Sequence, residues 1–297
     1  MKITVLGSGT SHGIPVVGCR CPVCTSDDPR DKRMRSAVYI EGRAGETALI
    51  DAGPEFRLQA VRAGITHLDG IFLTHAHADH LHGLDDVRPL SKEKPIAIYG
   101  NQQTILEMEE RFSYIWRETQ QGGGKPRLSP RVIEGPVRIG GLTFTPVPVK
   151  HGALDILGWE VEEEPFLEDS PGPPRSDGPP EAAGESFLYL TDTSAIPPST
   201  LAWLKGMPNA AGPDKKSPQL RVVIIGGLRV RPHETHFSFG QALDATLDLG
   251  ATEVYLTHIC HDHSHEAIEE FCKNFRESRA LEQITIHPAQ DGLVIIL

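Results

Sequence analysis

The sequence predicts an α/β fold in which two sheets pack face to face and helices cover their outer sides. Short runs rich in β-branched residues recur along the chain and end at glycine or polar turns, a pattern typical of strands. Segments between them carry apolar residues at helical spacing. Apolar residues make up 39% and charged residues 23% of the 297 residues, which is ordinary for a globular chain that buries a large core.

Individual strands and helices follow from these patterns. The predicted strands are 2–6, 37–41, 47–51, 70–74, 96–99, 142–149, 156–162, 187–191, 221–225, 253–257 and 283–287. The predicted helices are 55–63, 101–114, 239–249 and 265–278. Gly64 and Gly250 stop the first and third of these helices, as glycine often does just past a helix end.

Two segments depart from globular composition. Residues 163–184 are rich in proline, glycine and acidic residues and have no apolar periodicity. They predict a flexible insertion within a single domain that spans residues 1–297. Residues 207–219 predict a second loop.

Charge and cysteine content limit the partners and the compartment. A net charge of −11 argues against extended, sequence-independent nucleic-acid binding, and the three dispersed tryptophans suggest no base-stacking platform. No apolar stretch approaches the roughly 18 residues of a membrane span, so we expect no membrane partner. Because the first residues are strand-like rather than a signal peptide, we expect a cytoplasmic protein whose five cysteines are thiols or metal ligands. The sequence leaves a homodimer open.

The segment 74–80, Thr-His-Ala-His-Ala-Asp-His, carries the densest chemistry in the chain. It follows an apolar stretch and combines three imidazoles with one carboxylate, a mixture that suits a borderline divalent transition metal. At a strand end, the alternation can direct His75 and His77 to one ion, while Asp79 and His80, beyond the turn, face another. One ion needs three or four protein ligands, so four here, with more downstream, indicate two ions. A polar loop with scattered histidines is the competing interpretation.

The pattern His-x-His-x-Asp-His resembles the signature of the metallo-β-lactamase superfamily. The resemblance implies an αβ/βα sandwich of two mixed sheets with outer helices, and further metal ligands at the ends of later strands. His151, Asp192 and His258 stand at such positions in the expected order. Asp51, at the end of the predicted strand 47–51, matches a residue that orients the ligand loop by hydrogen bonding.

The resemblance also divides the ligands between two active-site ions. The implied sets are His75, His77 and His151 for one ion, Asp79, His80 and His258 for the other, and Asp192 as the bridge. Such a pair of ions would activate a hydroxide for hydrolysis. Manganese, zinc and iron all tolerate this mixture of histidine and aspartate.

A second candidate metal site precedes this motif. Cys19, Cys21 and Cys24 supply three thiols within six residues, which in a reducing compartment fits a structural zinc ion that still needs a fourth ligand. A redox Cys-x-x-Cys pair is the competing interpretation, although it needs no third cysteine. Unpaired structural cysteines are a third interpretation.

The segments 7–10 (Gly-Ser-Gly-Thr), 13–15 (Gly-Ile-Pro) and 19–24 together resemble the PhnP-like phosphodiesterase branch of the superfamily. That branch opens a five-membered ribosyl 1,2-cyclic phosphate. It carries its fourth zinc ligand three residues after the last active-site histidine, which implies His261 here. Cys260 is the alternative donor.

The same branch carries a catalytic histidine in the stretch that contains His233 and His236. His236 matches it by its position before the predicted helix, and a protonated imidazole there could bind phosphate or donate a proton to the departing oxygen. His233 is the alternative proton donor. The chain departs from the branch at Gly226 and Gly227, where an acidic residue is expected.

These features predict a metal-dependent hydrolase that cleaves phosphodiesters. The resemblance to the PhnP-like branch implies small cyclic phosphates such as ribosyl 1,2-cyclic phosphate as the substrate class. His236 and Asp192 are the expected catalytic residues, and the expected cofactors are two divalent ions plus one structural zinc. A tRNA 3′-processing nuclease shares the two-metal site but needs a basic arm that this acidic chain does not show. A PqqB-like protein of cofactor biosynthesis and a non-enzymatic metal-binding protein also remain compatible with the sequence.

Overall fold

The structure, a computed structural model, describes residues 1–118, 124–164, 185–206 and 219–297. Residues 165–184 of the predicted insertion and 207–218 of the predicted second loop therefore lie outside the described residues. Glu163, with which the predicted insertion begins, is the last residue of a strand, Leu154–Glu163.

The first of two seven-stranded sheets contains both the earliest and the last strand of the described chain. In spatial order its strands are β14 (Val294–Ile296), β1 (Lys2–Gly7), β2 (Ala37–Glu41), β3 (Thr47–Ile50), β4 (Gly70–Phe72), β5 (Ile96–Gly100) and β6 (Leu128–Val132). The pairs from β14 to β3 are antiparallel, and those from β3 to β6 are parallel.

The second sheet repeats this arrangement. In spatial order its strands are β13 (Thr285–Pro288), β12 (Glu253–Thr257), β11 (Gln219–Gly226), β10 (Glu185–Leu190), β9 (Leu154–Glu163), β8 (Leu142–His151) and β7 (Val137–Ile139). The pairs from β7 to β10 are antiparallel, and those from β10 to β13 are parallel. Parallel strands of one sheet end at the same edge, which is where ligands bind in many α/β proteins.

An apolar layer joins the two sheets. Phe72 of β4 stacks on Phe144 of β8, with ring centroids 3.8 Å apart. The central strands are apolar on both faces. In β11, for example, Val222 lies in this layer, and the next residue, Val223, packs in the cluster that includes the helices of the second sheet.

Helices cover the outer faces and complete the sandwich. The described α-helices are α1 (Phe56–Ala63), α2 (Ala78–Leu81), α3 (Gln102–Arg111), α4 (Pro198–Leu204), α5 (Phe239–Thr246) and α6 (His265–Ser278). The described 3₁₀ helices are Pro29–Asp31, Leu84–Ser91 and Ser113–Ile115. Residues of α1 and α3 share an apolar cluster with the first sheet, and residues of α5 and α6 share one with the second. The predicted αβ/βα sandwich is confirmed.

All predicted strands and helices have counterparts in the structure, although their ends differ by a few residues. The prediction missed the short strands β6, β7 and β14 and the helices α2 and α4. In the part of the chain that the structure describes, none of the helices combines the length and the apolar character needed to cross a membrane.

Candidate metal centre

The predicted active-site ligands converge at the edge where the parallel strands of both sheets end. Their donor atoms form three groups, each within 4.8 Å: His75, His77 and His151; Asp79, His80, Asp192 and His258; and His151, Asp192 and His236. Because His151 and Asp192 each belong to two groups, the three groups form one continuous cluster. The structure thus brings together every residue predicted for the active-site ions, as well as His236.

Three residues at this edge adopt the left-handed backbone conformation. Asp51 directly follows β3, Asp192 lies two residues beyond β10, and His258 directly follows β12; their φ angles are 63°, 52° and 56°. For residues other than glycine this conformation costs roughly 1–2 kcal/mol and is found at functional sites when the surrounding structure enforces it. The strain is therefore concentrated where side chains are turned into the cluster.

Asp51 fixes the segment that carries the first four ligands. Its carboxylate accepts hydrogen bonds from the Thr74 backbone N–H and hydroxyl, both at 2.8 Å. The same carboxylate lies 2.7 Å from Nδ1 of His80, and all three residues are fully buried. A proton on Nδ1 bonded to Asp51 leaves Nε2 of His80 as the atom that faces the cluster.

The surroundings of His80 Nε2 call for a cation. This atom lies 3.0 Å from Oδ2 of Asp192 and 3.1 Å from Oδ2 of Asp79, yet it makes no hydrogen bond of acceptable geometry with any residue that the structure describes. Burial alone would lower the pKa of His80, but Asp79, Asp192 and Asp51 together raise it well above the ordinary value. A divalent ion among these donors would supply the same positive charge without the extra proton, so this group fits a metal.

The histidine group fits a metal for a different reason. Nε2 of His75 is buried and has no hydrogen-bond partner among the described residues. Burial, and then the nearby His80, hold the pKa of His75 well below its usual value, so the imidazole is neutral, which is the form that binds metals. Nδ1 of His151 lies 2.7 Å from the carbonyl oxygen of Thr235, to which it can donate, leaving its Nε2 free as a ligand.

Asp192 belongs to two of the three donor groups, the one with His80 and His258 and the one with His151 and His236. Oδ2 lies 3.0 Å from His80 Nε2 and 3.1 Å from His258 Nδ1, and the side chain is almost entirely buried. Burial raises the pKa of Asp192, but His258 and His80 outweigh it and hold the pKa well below the ordinary value. The carboxylate is therefore ionised, which is the form that binds metals.

Thr10 contacts the cluster without having been assigned a role from the sequence. Its hydroxyl lies 3.0 Å from Nε2 of His258, and both side chains are buried. The Gly-Ser-Gly-Thr motif was the available signal, but a motif gives no direction for the threonine side chain. The contact shows that the first loop after β1 helps to orient the last histidine.

His236 and His233 occupy different environments. His236 is mostly buried, its ring centroid lies 4.7 Å from that of His151 and 5.0 Å from that of His258, and its Nδ1 has no hydrogen-bond partner among the described residues. Burial, and then His258, lower the pKa of His236 to about 3, so the side chain is neutral in the ligand-free protein. His233 is exposed and lies beside His236, with ring centroids 5.1 Å apart. The geometry thus places His236, not His233, inside the cluster.

The second predicted metal site also assembles. Sγ atoms of Cys19, Cys21 and Cys24 lie 3.3, 3.5 and 3.4 Å from Nδ1 of His261. Tetrahedral zinc with sulfur and nitrogen ligands separates them by roughly 3.5 Å, so the donor set fits a zinc ion. Cys260 is buried outside this group.

The thiols of this site are free to ligate. None of the five cysteines forms a disulfide. The backbone N–H of Cys24 donates to Sγ of Cys21 and lowers the pKa of that thiol to about 6, which favours the thiolate form that binds zinc.

Comparison with known families decides the family of the chain. Residues 46–259 match the beta-lactamase superfamily domain. The chain belongs to the metallo-β-lactamase superfamily. This confirms the resemblance indicated by the His-x-His-x-Asp-His pattern, and the fold of this superfamily implies divalent metal ions at the cluster.

Individual relatives place the chain near the PhnP branch. The crystal structure of a diphosphatase from the PhnP family is similar to this chain, with 33% sequence identity and a TM-score of 0.75. The match covers 100% of this chain and 97% of the diphosphatase chain. The octanoyltransferase of Porphyromonas gingivalis is 33% identical over 300 residues, 100% of this chain; the chain spans about half, 52%, of that protein. Zinc-bound PqqB from Methylobacterium extorquens shares the fold, with a TM-score of 0.72 and 16% identity, covering 100% of both chains.

Proposed function

We propose that this metallo-β-lactamase-fold hydrolase is a metal-dependent phosphodiesterase that hydrolyses small cyclic phosphodiesters such as ribosyl 1,2-cyclic phosphates. One observation carries the proposal: the Asp192 carboxylate belongs to two donor groups, one with Asp79, His80 and His258 and one with His151 and His236, and His151 joins the second of these to His75 and His77. Similarity to the PhnP-family diphosphatase over the whole chain supports chemistry at phosphorus.

The residues would hold two ions as the sequence predicts. The proposed sets are His75, His77 and His151 for one ion, Asp79, His80 and His258 for the other, and Asp192 for both. When bound, such ions lower the pKa of a water molecule and offset the negative charge of a phosphodiester. Manganese, zinc and iron are all compatible with these donors. A separate zinc ion at the cysteine group would be structural.

Hydrogen bonds within the chain hold the ligand rings in place, and His236 is left to contact the substrate. Asp51 and Thr74 hold the His80 ring, and Thr10 holds that of His258, so the site is rigid before substrate binds. His236 retains a small exposed fraction, 15% of its side chain, and its Nδ1 lies 3.7 Å from Asp192 Oδ1. A neutral imidazole N–H there can donate a hydrogen bond to a phosphate oxygen, and an imidazolium formed once the anionic substrate is bound could transfer its proton to the departing alkoxide.

Turnover by the metal-loaded protein tests the proposal. We expect hydrolysis of ribose 1,2-cyclic phosphate and of bis(p-nitrophenyl) phosphate, and loss of both after chelation with restoration by added metal. A screen that includes cyclic nucleotides and a tRNA precursor locates the preferred class. Absence of turnover for every phosphodiester, in protein that carries its metal ions, would contradict the proposed function.

A second candidate is hydrolysis of a phosphoric anhydride. It is favoured by the diphosphatase relative, which is 33% identical over the full chain. Turnover of a diphosphate ester with release of inorganic phosphate, combined with no turnover of cyclic diesters, would select this second function.

A further inference from the structure

We propose that a cationic cavity, remote from the metal centre, binds a nucleotide that carries at least two phosphates. The cavity has a volume of about 770 Å³. Its chemically distinctive lining residues are Arg88, Ser91, Lys92, Trp116, Lys125 and Arg127. The proposal does not depend on the proposed function, because the cavity shares no residue with the metal cluster.

The cavity lies at the opposite end of the first sheet from the metal ligands. The Ile96 N–H, at the start of β5, donates to the Arg127 carbonyl oxygen just before β6. The ligand segment, in contrast, follows the end of β4, where the Leu73 N–H donates to the Tyr99 carbonyl oxygen near the end of β5. Because β4, β5 and β6 are parallel, the two sites occupy opposite edges of the sheet.

The four cations that line the cavity have no acidic partner in the part of the chain that the structure describes. Among the described residues, no carboxylate oxygen lies within 4.0 Å of the charged nitrogens of Arg88, Lys92, Lys125 or Arg127. The chain as a whole has a net charge of −11, but the lining of this cavity is positively charged. An anionic ligand would neutralise that local positive charge.

Backbone carbonyl groups hold three of these cations in place. Arg88 Nη1 donates to the Gly124 carbonyl oxygen at 3.0 Å, and Arg127 Nη1 donates to that of Lys92 at 2.9 Å. The Lys125 ammonium donates to the Arg117 carbonyl oxygen. Each group uses only part of its donors, so the remaining N–H bonds are available in a prearranged position. The guanidinium fork matches two oxygens of one phosphate.

Trp116 would allow the cavity to bind a flat aromatic ring. Its side chain lines the cavity and is 39% exposed, unusually accessible for a large aromatic side chain. A nucleobase stacks on an exposed indole while phosphates bind nearby cations, the combination found in proteins that bind single-stranded nucleic acids. A cavity of about 770 Å³ holds a nucleotide-sized ligand, whereas inorganic phosphate would leave most of it unfilled.

Helix capping explains only part of this arrangement. Arg127 donates to the carbonyl oxygens of Lys92 and Glu93, just past the 3₁₀ helix Leu84–Ser91, as basic side chains do at helix ends. Capping gives no reason for the ammonium group of Lys92, which pairs with no carboxylate among residues 1–118, 124–164, 185–206 and 219–297, or for Trp116 in the same cavity.

Titration of the purified, metal-loaded protein with α,β-methylene-ADP tests the proposal, because this analogue resists hydrolysis between its phosphates. We expect saturable binding below about 1 mM, with a change in tryptophan fluorescence. Lys92→Glu should weaken binding by roughly tenfold or more, because a charge-assisted contact becomes a repulsion. Lys94→Glu is the matched control: Lys94 is also exposed and lies two residues away but does not line the cavity, so we expect less than about a twofold effect.

A second variant separates recognition of the base from that of the phosphates. Trp116→Leu should weaken binding of α,β-methylene-ADP, measured by calorimetry, and leave binding of pyrophosphate unchanged. Absence of saturable binding, or equal losses in Lys92→Glu and Lys94→Glu, would overturn the site. Binding that is lost in Asp192→Ala but retained in Lys92→Glu would place the ligand at the metal centre and also overturn it. Equal affinity for pyrophosphate and the nucleotide would overturn the nucleotide assignment.

Discussion

Individual residues at the candidate metal centre adopt an unfavourable backbone conformation that places their side chains in or against the cluster. Asp51, Asp192 and His258 are three of the four described non-glycine residues with positive φ, and all three belong to the cluster or hold it. Glycine would relieve the backbone at each position but would remove the carboxylate or imidazole. Side-chain chemistry therefore outweighs local conformational preference at these three strand ends.

Asp192 is the residue on which both proposed ions depend. Replacing it with alanine removes the only carboxylate that belongs to two of the donor groups found among the described residues. We expect elemental analysis of Asp192→Ala to show loss of at least one ion per chain, together with loss of phosphodiesterase turnover. The exposed Asp248 offers a control, since Asp248→Ala should keep both. Full metal content with normal turnover in Asp192→Ala would refute its role as a bridge.

His236 should matter most when the leaving group is poor. A histidine that donates a proton helps a basic alkoxide to depart, whereas an aryl oxide leaves unaided. His236→Gln should therefore slow alkyl phosphodiesters by about a hundredfold or more and affect aryl esters much less. The exposed His233, changed to glutamine, is the control and should leave the ratio unchanged. Equal losses on both ester types would assign His236 to phosphate binding instead.

At the scale of elements, the cysteine site ties the loop after β1 to the loop after β12. Cys21 and its neighbours come from the first loop, and His261 comes from the second. Arg33 reinforces this junction, since its buried guanidinium donates to the Cys260 and His263 carbonyl oxygens. The second loop also contains His258, so the proposed zinc ion would stabilise a segment that the active site needs.

Loss of that zinc should lower stability more than it changes chemistry. Cys21→Ser removes one thiolate, so we expect lower zinc content and a lower Tm, while protein that remains folded keeps most of its turnover per active-site metal. Cys272→Ala serves as the control, because Cys272 is buried in the helical core and its loss should lower the Tm without changing zinc content. A Cys21→Ser protein that binds zinc as tightly as wild type would contradict the assignment.

Sequence patterns predicted the longer elements and missed the short ones for identifiable reasons. Strand β6 contains Pro130, which argues against a strand, yet β6 is an edge strand and tolerates it. Helix α2 has only four residues, too few to show an apolar stripe, and two of them, Asp79 and His80, are candidate metal ligands. Strands β7 and β14 have three residues each, too few for alternation to be read.

The candidate ligands were accessible to sequence reasoning because a family motif names them in order. Contacts between loops that are far apart in the sequence could not be predicted in this way. Nothing in the sequence brings Thr10 to His258, 248 positions away, or groups Trp116 with Lys92. The dispersed tryptophans indicated no stacking surface, whereas folding places one of them among cations. Such groupings follow from sheet topology, which periodicity does not reveal.

At the scale of the whole molecule, the last described strand joins the edge of the first sheet, next to the first strand. Strand β14 pairs with β1, and Asp291, just before β14, reaches back to the start of the chain. The Asp291 carboxylate accepts hydrogen bonds from the Ser8 backbone N–H and hydroxyl, both at 2.9 Å, and from the Met34 N–H at 2.7 Å. No cation lies within 4.0 Å of this carboxylate among the described residues.

Asp291 should therefore make stability depend on pH. Burial raises its pKa from 3.8 to about 6, although the Met34 and Ser8 donors oppose the shift. Since the folded state holds the proton more tightly than the unfolded state, the contribution of Asp291 to stability is greatest below about pH 4 and falls until about pH 6. We expect the free energy of unfolding of wild type, minus that of Asp291→Asn, to fall by about 2–3 kcal/mol over this interval.

Chemical denaturation of both proteins at several pH values measures this difference. The asparagine variant lacks an acceptor for the Met34 N–H at every pH, which adds a constant offset and no slope. Groups common to both proteins, including the metal cluster, cancel in the subtraction. A difference that stays flat from pH 4 to 6, or that rises, would show that the buried carboxylate stays ionised in the folded protein because its three donors outweigh its burial.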